Sequence, residues 1–418
     1  MKNWRSIILF SAISAAFIGP GTVATCAAVG SRIQFRLLRA LLFSTLACWI
    51  LQEASARLTV TSGQSLGQVL ANQFGRSLAG TVVLSIVLGC AAYQAGNILG
   101  SFEGLKLLAI QNATWGVALI GGLAFAFLWL EKTTWISRIL ASMVALMGLG
   151  FFFSALKLQP EIAPLLQGTF VPSLPQDATA LILGLVGTTV VPYNLFLGSS
   201  LAHHQKLSDV RLGLSIAIPF GGLISAAILV VGTTVDGPFS YAAVADALAQ
   251  HWGNWPAKLF GLGLFCAGLS SAITAPWAAQ LSFSSLFPPK TSVAKRAVWM
   301  LVLLTGMLFG WLQVKPIPII ILAQALNGLI LPLVAIFLFI ATNDRNLMGV
   351  HLNNRLFNLV MGLATLVSLL LGCNGLLKAF TATFPILPQG QTPLWLTTSI
   401  ATIALFWPVL AQVRKRRN

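Results

Sequence analysis

The sequence predicts an all-α polytopic membrane protein made of two inverted five-helix repeats and about two further C-terminal helices. Three observations lead to this fold class. Of the 418 residues, 57% are hydrophobic and 8% are charged, and the mean hydropathy is +0.86. Apolar runs of about 20 residues, the length that spans a bilayer, recur along the whole chain. Two of these runs, five spans apart, are interrupted by Gly and Pro.

Twelve apolar runs separated by short loops predict twelve spans in a single transmembrane domain over residues 1–418. We expect a first repeat at about 6–156, a second at about 178–342 and extra helices at about 357–412. An odd number of spans in each repeat inverts the second repeat relative to the first. The runs lie at 6–30, 39–56, 79–101, 113–130, 135–156, 178–200, 212–234, 259–287, 297–314, 317–342, 357–375 and 393–412.

The net charge of +16 reflects membrane topology. With the N-terminus inside, 17 of the 25 Lys and Arg residues fall on the inner side and eight on the outer side. This bias predicts a multi-pass protein of the cell membrane with both termini in the cytoplasm, and no nucleic-acid partner. Arg32, Arg36 and Arg39 form an outer exception. They favour contact with lipid headgroups, and attraction of an anion is the alternative.

The first span contains a break. The segment "FIGPGTVATC" (17–26) places Gly19, Pro20 and Gly21 inside an otherwise apolar helix. Proline removes a backbone donor and clashes with the preceding turn, and glycine lowers helix stability. The sequence therefore predicts unwound backbone at this point.

The sixth span contains a second break. The segment "LGLVGTTVVPYNLFLGSS" (183–200) carries Gly187 and Pro192 on either side of β-branched residues. Unpaired backbone groups at membrane depth cost several kcal/mol each unless they line a protected cavity. Interrupted helices at matching positions of two halves are typical of inverted-repeat secondary transporters. We therefore expect a binding site where the two breaks meet.

At these residues the chain resembles the NRAMP family of proton-coupled divalent-metal transporters, which have the LeuT-type fold. Three further segments resemble the family's second, eighth and tenth spans: "LQEASARLTVTSGQSLGQVL" (51–70), "GLSSAITAPWAAQ" (268–280) and "AQALNGLILP" (323–332). The resemblance covers roughly residues 8–345. It implies secondary active transport of a divalent metal cation by alternating access.

The ligands that the family uses do not match this sequence. The family's first break reads Asp-Pro-Gly-Asn, where this chain has Gly19–Thr22. Its sixth-span break reads Met-Pro-His, where this chain has Val191–Tyr193. The position of its third-span acid is matched by Tyr93, next to Gln94, and a second sixth-span histidine is matched by Gly198. The resemblance thus implies the fold but an atypical site without charged or sulfur ligands.

The side chains left to contact a substrate are all neutral. A dehydrated dication needs anionic or several strong oxygen ligands, and transition metals also favour nitrogen or sulfur. We therefore expect a small inorganic ion or polar solute as the substrate, a poor site for Mn²⁺ or Fe²⁺, and no proton coupling. The candidate substrate-binding residues are Gly19, Thr22, Tyr93, Gln94, Thr188, Val191, Tyr193, Asn194 and Gln324.

Two alternatives to metal transport stay open. The C-terminal end of a half-helix favours cations and the N-terminal end favours anions, so a site without a carboxylate also suits an anion or a small polar molecule. A non-transporting sensor or scaffold with the same fold is the second alternative.

Other reactive residues give weaker signals. Glu53 is the acid most deeply embedded in a predicted span, and it is either a functional group or the partner of Arg57, four residues later. His203 and His204 are expected in a loop. No catalytic or phosphate-binding motif stands in a fitting context, and the five cysteines stand singly. We therefore expect neither an enzyme nor a cofactor.

Overall fold

The part of the chain that the structure describes consists of helices joined by turns and loops. A computed structural model describes residues 2–171, 178–235, 237, 239–383 and 391–417. It contains α-helices, which we number α1–α18, and two short 3₁₀ helices within these ranges.

The first half of the chain begins with an interrupted span, as predicted. Its two helices are α1 (Lys2–Phe17) and α2 (Pro20–Ile33). The rest of this half consists of a 3₁₀ turn (Gln34–Leu37), α3 (Leu38–Ser62), α4 (Leu66–Phe74), α5 (Arg76–Leu107), α6 (Ala113–Trp129) and α7 (Thr133–Lys157).

The second half repeats this arrangement after a short connecting helix, α8 (Ile162–Phe170). Its interrupted span consists of α9 (Ala178–Thr189) and α10 (Pro192–Ala202). The remaining helices of this half are α11 (Leu207–Gly232), α12 (Tyr241–Trp252), α13 (Asn254–Leu286), α14 (Ser292–Trp311) and α15 (Pro316–Ala341). The C-terminal part consists of α16 (Arg345–Met348), a 3₁₀ turn (Gly349–His351), α17 (Arg355–Thr383) and α18 (Gln391–Arg417).

The helices are long and apolar enough to cross a membrane repeatedly. Among the described residues, nine stretches pass this test by length and composition, with α2 and α3 counted together as Pro20–Ser62. Ser6–Phe17 and Ala113–Trp129 are shorter apolar helices. Helix α1 begins on the same side as α7 and α11, because Ser6, Thr134 and Asp209 line one cavity. We call this side the terminal face and the other side the opposite face. On the terminal face Arg416 lies 2.7 Å from Asp344, which follows α15.

Side-chain caps define several helix starts. Ser65 and Gln68 form a capping box at α4, so each side chain accepts a hydrogen bond from the other residue's backbone N–H. Asn112 and Thr291 accept bonds from backbone N–H groups at the starts of α6 and α14. These short polar residues mark where the loops end and the helices begin.

Helices α5 and α13 cross at small residues, and this crossing positions the centre of the molecule. A Cβ atom on Gly268 would lie 2.4 Å from the Cβ atom of Ser101, and one on Gly104 would lie 2.4 Å from the backbone nitrogen of Phe265. The Ser101 hydroxyl donates to the Phe265 carbonyl across the same crossing, at 3.0 Å. Small residues let two membrane helices approach this closely. The approach holds the middle of α5 beside the first break.

Candidate binding site at the two helix breaks

The two interrupted spans meet at their breaks. In the first span the helix is interrupted at Ile18 and Gly19, and in the second at Val190 and Val191. The hydroxyl oxygens of Thr22 and Thr188 lie 2.9 Å apart. The Thr22 hydroxyl donates to the Phe17 carbonyl, so its oxygen is free to accept a bond from Thr188. The structure therefore joins the breaks as expected.

Hydroxyl groups bond the carbonyls at the end of α1. These carbonyls lie in the last turn, where a helix lacks intrahelical donors. The Tyr193 hydroxyl donates to the Ala16 carbonyl at 3.0 Å, and the Ser271 hydroxyl donates to the Ala15 carbonyl at 3.2 Å. Protein side chains thus already stabilise the unwound backbone, and they do so without a formal charge.

Gly19 has no room for a side chain in this conformation. A Cβ atom there would lie 2.7 Å from the Ser271 hydroxyl oxygen and 3.6 Å from the Asn97 amide oxygen. Ser271 therefore occupies the space beside the position where the family has its aspartate. Neither Ser271 nor Asn97 was among the sequence candidates. Their signals were faint: a serine pair within 268–280, and an amide three residues after Gln94.

Helix α5 adds a row of amide and phenol groups to the site. The Gln94 amide donates to the Ala272 carbonyl at 3.0 Å, and the Asn97 amide donates to the Gln94 oxygen at 3.4 Å. The Tyr93 hydroxyl accepts a 2.6 Å bond from Asn327. The Tyr93 and Tyr193 rings pack edge to face, with centroids 5.9 Å apart. Tyr93 and Tyr193 are therefore in contact, whereas the Gln94 side chain faces α13.

Two amide side chains near the second break lack hydrogen-bond partners. Among the described residues, both the nitrogen and the oxygen of Asn194 and of Gln52 are buried and unpaired. A Cβ atom on Gly198 would lie 2.2 Å from the Gln52 oxygen, so Gln52 packs against α10 one turn beyond Asn194. Buried amides without partners are exceptional and indicate a place for water or a polar ligand. Asn194 was a sequence candidate, whereas Gln52 was not.

The last two predicted positions differ in what the structure shows. Val191 precedes α10 in an extended conformation, and its carbonyl accepts a bond from the Asn194 backbone at 3.0 Å. It contributes backbone only. Gln324 lies on α15, and its side chain is outside the described residues. The binding role of the whole predicted set stays a prediction.

The lining of the breaks is electrically neutral over its described part. The polar atoms are hydroxyls, amides and backbone carbonyls. No group of three or more His, Cys, Asp and Glu side chains suited to a metal ion occurs among the described residues. Neutral oxygens bind the water shell of a cation or a polar solute more readily than a bare transition-metal ion.

Glu53 forms a buried ion pair with Arg57. The Arg57 Nε atom lies 2.9 Å from Glu53 Oε2, and Arg211 Nε lies 2.9 Å from Glu53 Oε1. Arg57 also donates to the Asn353 amide oxygen at 2.5 Å. The structural alternative for Glu53 therefore fits its surroundings. Its carboxylate ties α3 to α11 and pairs with Arg57, which bonds to the segment before α17.

The two faces of the molecule differ in what lies against the interrupted helices. On the opposite face, the Tyr241 hydroxyl of α12 donates to the Pro20 carbonyl at 2.9 Å, so α12 covers the first break. On the terminal face, a cavity of about 810 Å³ lies between α1, α7, α13 and the turn after α10. His203 and His204 lie in that turn, as predicted.

Comparisons with known sequences agree on one family. A family model described as "Natural resistance-associated macrophage protein-like" (Nramp) matches residues 11–378. The chain is 27% identical over 362 residues to the "Divalent metal cation transporter MntH" of Erwinia tasmaniensis, covering 81% of this chain and 86% of the relative. A protein of the same description from Klebsiella pneumoniae is 24% identical over 356 residues, with the same coverage.

Solved structures agree on the fold. A mutant of the Eremococcus coleocola manganese transporter superposes with a TM-score of 0.79 at 17% identity, covering 99% of this chain and 96% of that one. Mhp1, a nucleobase-cation-symport-1 family transporter, superposes with a TM-score of 0.56 at 15% identity, covering 98% and 92%. These similarities confirm the predicted LeuT-type class with broken first and sixth spans.

Proposed function

This chain belongs to the Nramp family, and from that membership we propose that it is a secondary transporter that moves a divalent metal cation in a partly hydrated form. The substrate binds between the two helix breaks, and the protein works by alternating access. Transport of the cation is not coupled to proton movement through the side chains at the breaks.

The neutral lining of the breaks carries this proposal. The side chains that meet there are hydroxyls and amides, with Thr22, Thr188 and Tyr193 at the centre. A fully dehydrated dication at such a site would lack a compensating negative charge. A hard cation such as Mg²⁺ gives up its water reluctantly and is often bound through it. Hydroxyl, amide and carbonyl oxygens accept hydrogen bonds from that water.

The unpaired amides provide further contacts for a hydrated ion. Asn194 and Gln52 each present a buried carbonyl oxygen with no partner among the described residues. Water bound to a cation is a strong donor, and an amide oxygen has two acceptor sites. These two residues therefore fit the outer part of a hydration shell.

The asymmetry of the two faces supports alternating access. Tyr241 bonds to Pro20 over the first break on the opposite face, while a cavity lies beside the same helices on the terminal face. The excess of Lys and Arg favours the cytoplasm for the terminal face. We therefore interpret the conformation as one that is closed to the outside.

Uptake into proteoliposomes tests the proposal. We expect Mg²⁺ uptake that exceeds Mn²⁺ uptake, with no acidification reported by an internal pH-sensitive dye. The Asn194→Leu variant should lose Mg²⁺ uptake, and Asn112→Ser, a helix cap far from the breaks, should keep it. Mn²⁺ uptake with acidification contradicts the proposal. Uptake of an anion or small polar molecule alone supports a transporter of a different solute. No uptake of any solute supports a sensor or scaffold.

A further inference from the structure

The cavity on the terminal face is lined by polar and charged side chains that the transport site does not use. It measures about 810 Å³, is open on one side, and lies between α1, α7, α13 and the turn from α10 to α11. This volume holds a small ion together with water. The titratable and hydroxyl side chains of its lining are those of Ser137, Arg138, His203, His204, Lys206 and Asp209, among others.

The fixed charge of this lining is positive. Arg138 and Lys206 take part in none of the salt bridges found in the described part of the chain, and neither does Asp209. Two permanent cations therefore face one carboxylate. Cations in a low-dielectric cleft focus the potential and attract anions. The arginine additionally presents a planar set of donors that matches an oxyanion.

Two helix N-terminal turns reinforce this potential. Helix α7 begins after Lys132 and helix α11 after Lys206, and neither start has a side-chain cap. Thr134 of α7 and Lys206 both line the cavity. Free backbone N–H groups and the helix dipole place partial positive charge at such ends.

An independent observation indicates an absent partner at this site. The Ser137 side chain lies on α7 and lines the cavity, and the residue is 1% exposed. Its hydroxyl oxygen has no hydrogen-bond partner among the described residues. A serine within a helix usually donates to a preceding carbonyl. A buried, unpaired hydroxyl in a lining that also carries two cations is suited to donate to an oxyanion.

We propose that this cavity is a binding site for a small oxyanion of the phosphate or carboxylate class. Arg138 and Lys206 supply the charge and Ser137 donates a hydrogen bond, and His203 and His204 line the same cavity. The rings of the two histidines pack edge to face, 3.9 Å apart, in the turn before α11. Asp209 opposes the anion and limits the affinity.

A bound oxyanion changes the electrostatics of the route to the terminal face. A cation that leaves the breaks on this side passes a positively charged lining, and the oxyanion cancels that charge. Faster cation release in the presence of the oxyanion follows, and this consequence rests on the proposed function. Binding of the oxyanion itself does not depend on the proposed function.

Calorimetric titration with inorganic phosphate tests the site directly. The full chain is held in phosphatidylcholine nanodiscs at constant ionic strength. We expect saturable binding that weakens at least tenfold in Arg138→Gln/Lys206→Gln and several-fold in Ser137→Ala. The matched control is Lys258→Gln/Lys315→Gln, which removes the same charge on the opposite face and should bind as the wild type does. Thermal melting of each variant confirms that it folds.

The outcomes separate the site from a general charge effect. Equal weakening in the two double variants, or no saturable binding by the wild type, overturns the proposal. Nanodiscs that contain phosphatidylglycerol identify the source of the oxyanion. If this lipid abolishes phosphate binding, a headgroup phosphate fills the same oxyanion site; if it does not, the ligand is a dissolved ion. Because no transport is measured, failure here leaves the proposed cation transport intact.

Discussion

At the scale of single residues, Gly19 is the position that distinguishes the candidate site most clearly. Its lack of a side chain removes a carboxylate from the first break and lets Ser271 approach the backbone. The two residues depend on each other, because a Cβ atom at position 19 meets the Ser271 hydroxyl at 2.7 Å. A side chain at position 19 therefore requires the Ser271 hydroxyl to move.

We predict that Gly19→Asp/Ser271→Ala gains Mn²⁺ affinity of at least tenfold over the wild type, because a carboxylate is the ligand that the neutral site lacks. Gly19→Asp alone should melt at a lower temperature than the double variant, because it keeps the clash. Calorimetry with Mn²⁺ and thermal melting measure the two effects. Unchanged Mn²⁺ affinity in a folded double variant would show that the break does not hold the cation.

Glu53 is the residue whose replacement should cost the most stability on the terminal face. In Glu53→Gln the guanidinium of Arg57, which is 2% exposed, loses its carboxylate. Leaving one charge of a buried pair uncompensated costs about 3–5 kcal/mol. The control is Glu103→Gln, whose pair with Lys106 is partly exposed and contributes less than about 1 kcal/mol. Denaturant unfolding in micelles measures the free energy of unfolding of both variants. An equal loss in the two contradicts this assignment.

At the scale of helices, the crossing of α5 and α13 positions the site. The contact between Gly268 and Ser101 is too close for any added carbon atom. Both helices carry site residues, Gln94 and Asn97 on α5 and Ser271 on α13. Separation of these helices therefore disturbs packing and the binding site together.

We predict that Gly268→Ala destabilises the protein by about 1–3 kcal/mol, the usual cost of overpacking. Gly122→Ala is the matched control: it lies on α6, where a Cβ atom meets nothing within 4 Å, and alanine favours a helix over glycine. Thermal melting of the two variants compares them directly. Equal melting temperatures would show that the crossing tolerates a methyl group.

The turn between α6 and α7 is joined to the start of α14 by a pH-dependent contact. Glu131 accepts a 2.6 Å bond from Arg296 and lies 3.2 Å from Lys295. The hydrogen bond from Arg296 lowers the pKa of the Glu131 carboxyl, and Lys295 adds to the effect. The ionised form thus stabilises the folded state above the carboxyl's unfolded pKa, and this contribution is lost as the pH falls through the lower folded value.

We therefore expect Glu131→Gln to lower the melting temperature slightly at pH 7 and to have no effect in acid, once the wild-type carboxyl is protonated. The contribution is below about 1 kcal/mol, because the pair is partly exposed to solvent. Melting curves at a series of pH values measure it. A difference between the two proteins that persists at the acid end contradicts the assignment.

At the scale of the whole molecule, the distribution of charge predicts orientation. Seventeen basic residues lie on the terminal face and eight on the opposite face, according to the sequence and the direction of the spans. The positive-inside rule then predicts that the terminal face lies in the cytoplasm. Lys206 and Lys258, which are both exposed, lie on different faces.

Labelling of intact cells tests this orientation. In a Cys373→Ser background, Lys258→Cys should react with an impermeant thiol reagent in intact cells, and Lys206→Cys should react only after permeabilisation. The four other cysteines are buried and should not react. The reverse pattern of labelling would place both termini outside.

The sequence by itself determined the fold class and predicted the two helix breaks where we place the candidate site. Apolar run length depends on the thickness of the bilayer, and helix breaks depend on local backbone chemistry at Gly19–Gly21 and Pro192. Both are properties of neighbouring residues, so they can be predicted without the tertiary structure. The absence of charged ligands at the breaks is likewise a prediction from the sequence, because it needs only the matched positions of the resemblance.

Only the tertiary structure decided how the breaks are stabilised and what surrounds them. Ser271 and Tyr193 bond to carbonyls of α1 more than 170 residues away, and Gln52 packs against Gly198. Likewise, Arg138 and Lys206 line one cavity although they belong to different halves of the chain. Such contacts depend on how whole helices cross, which no local pattern encodes, and they determine which polar groups are paired and which are left for a ligand.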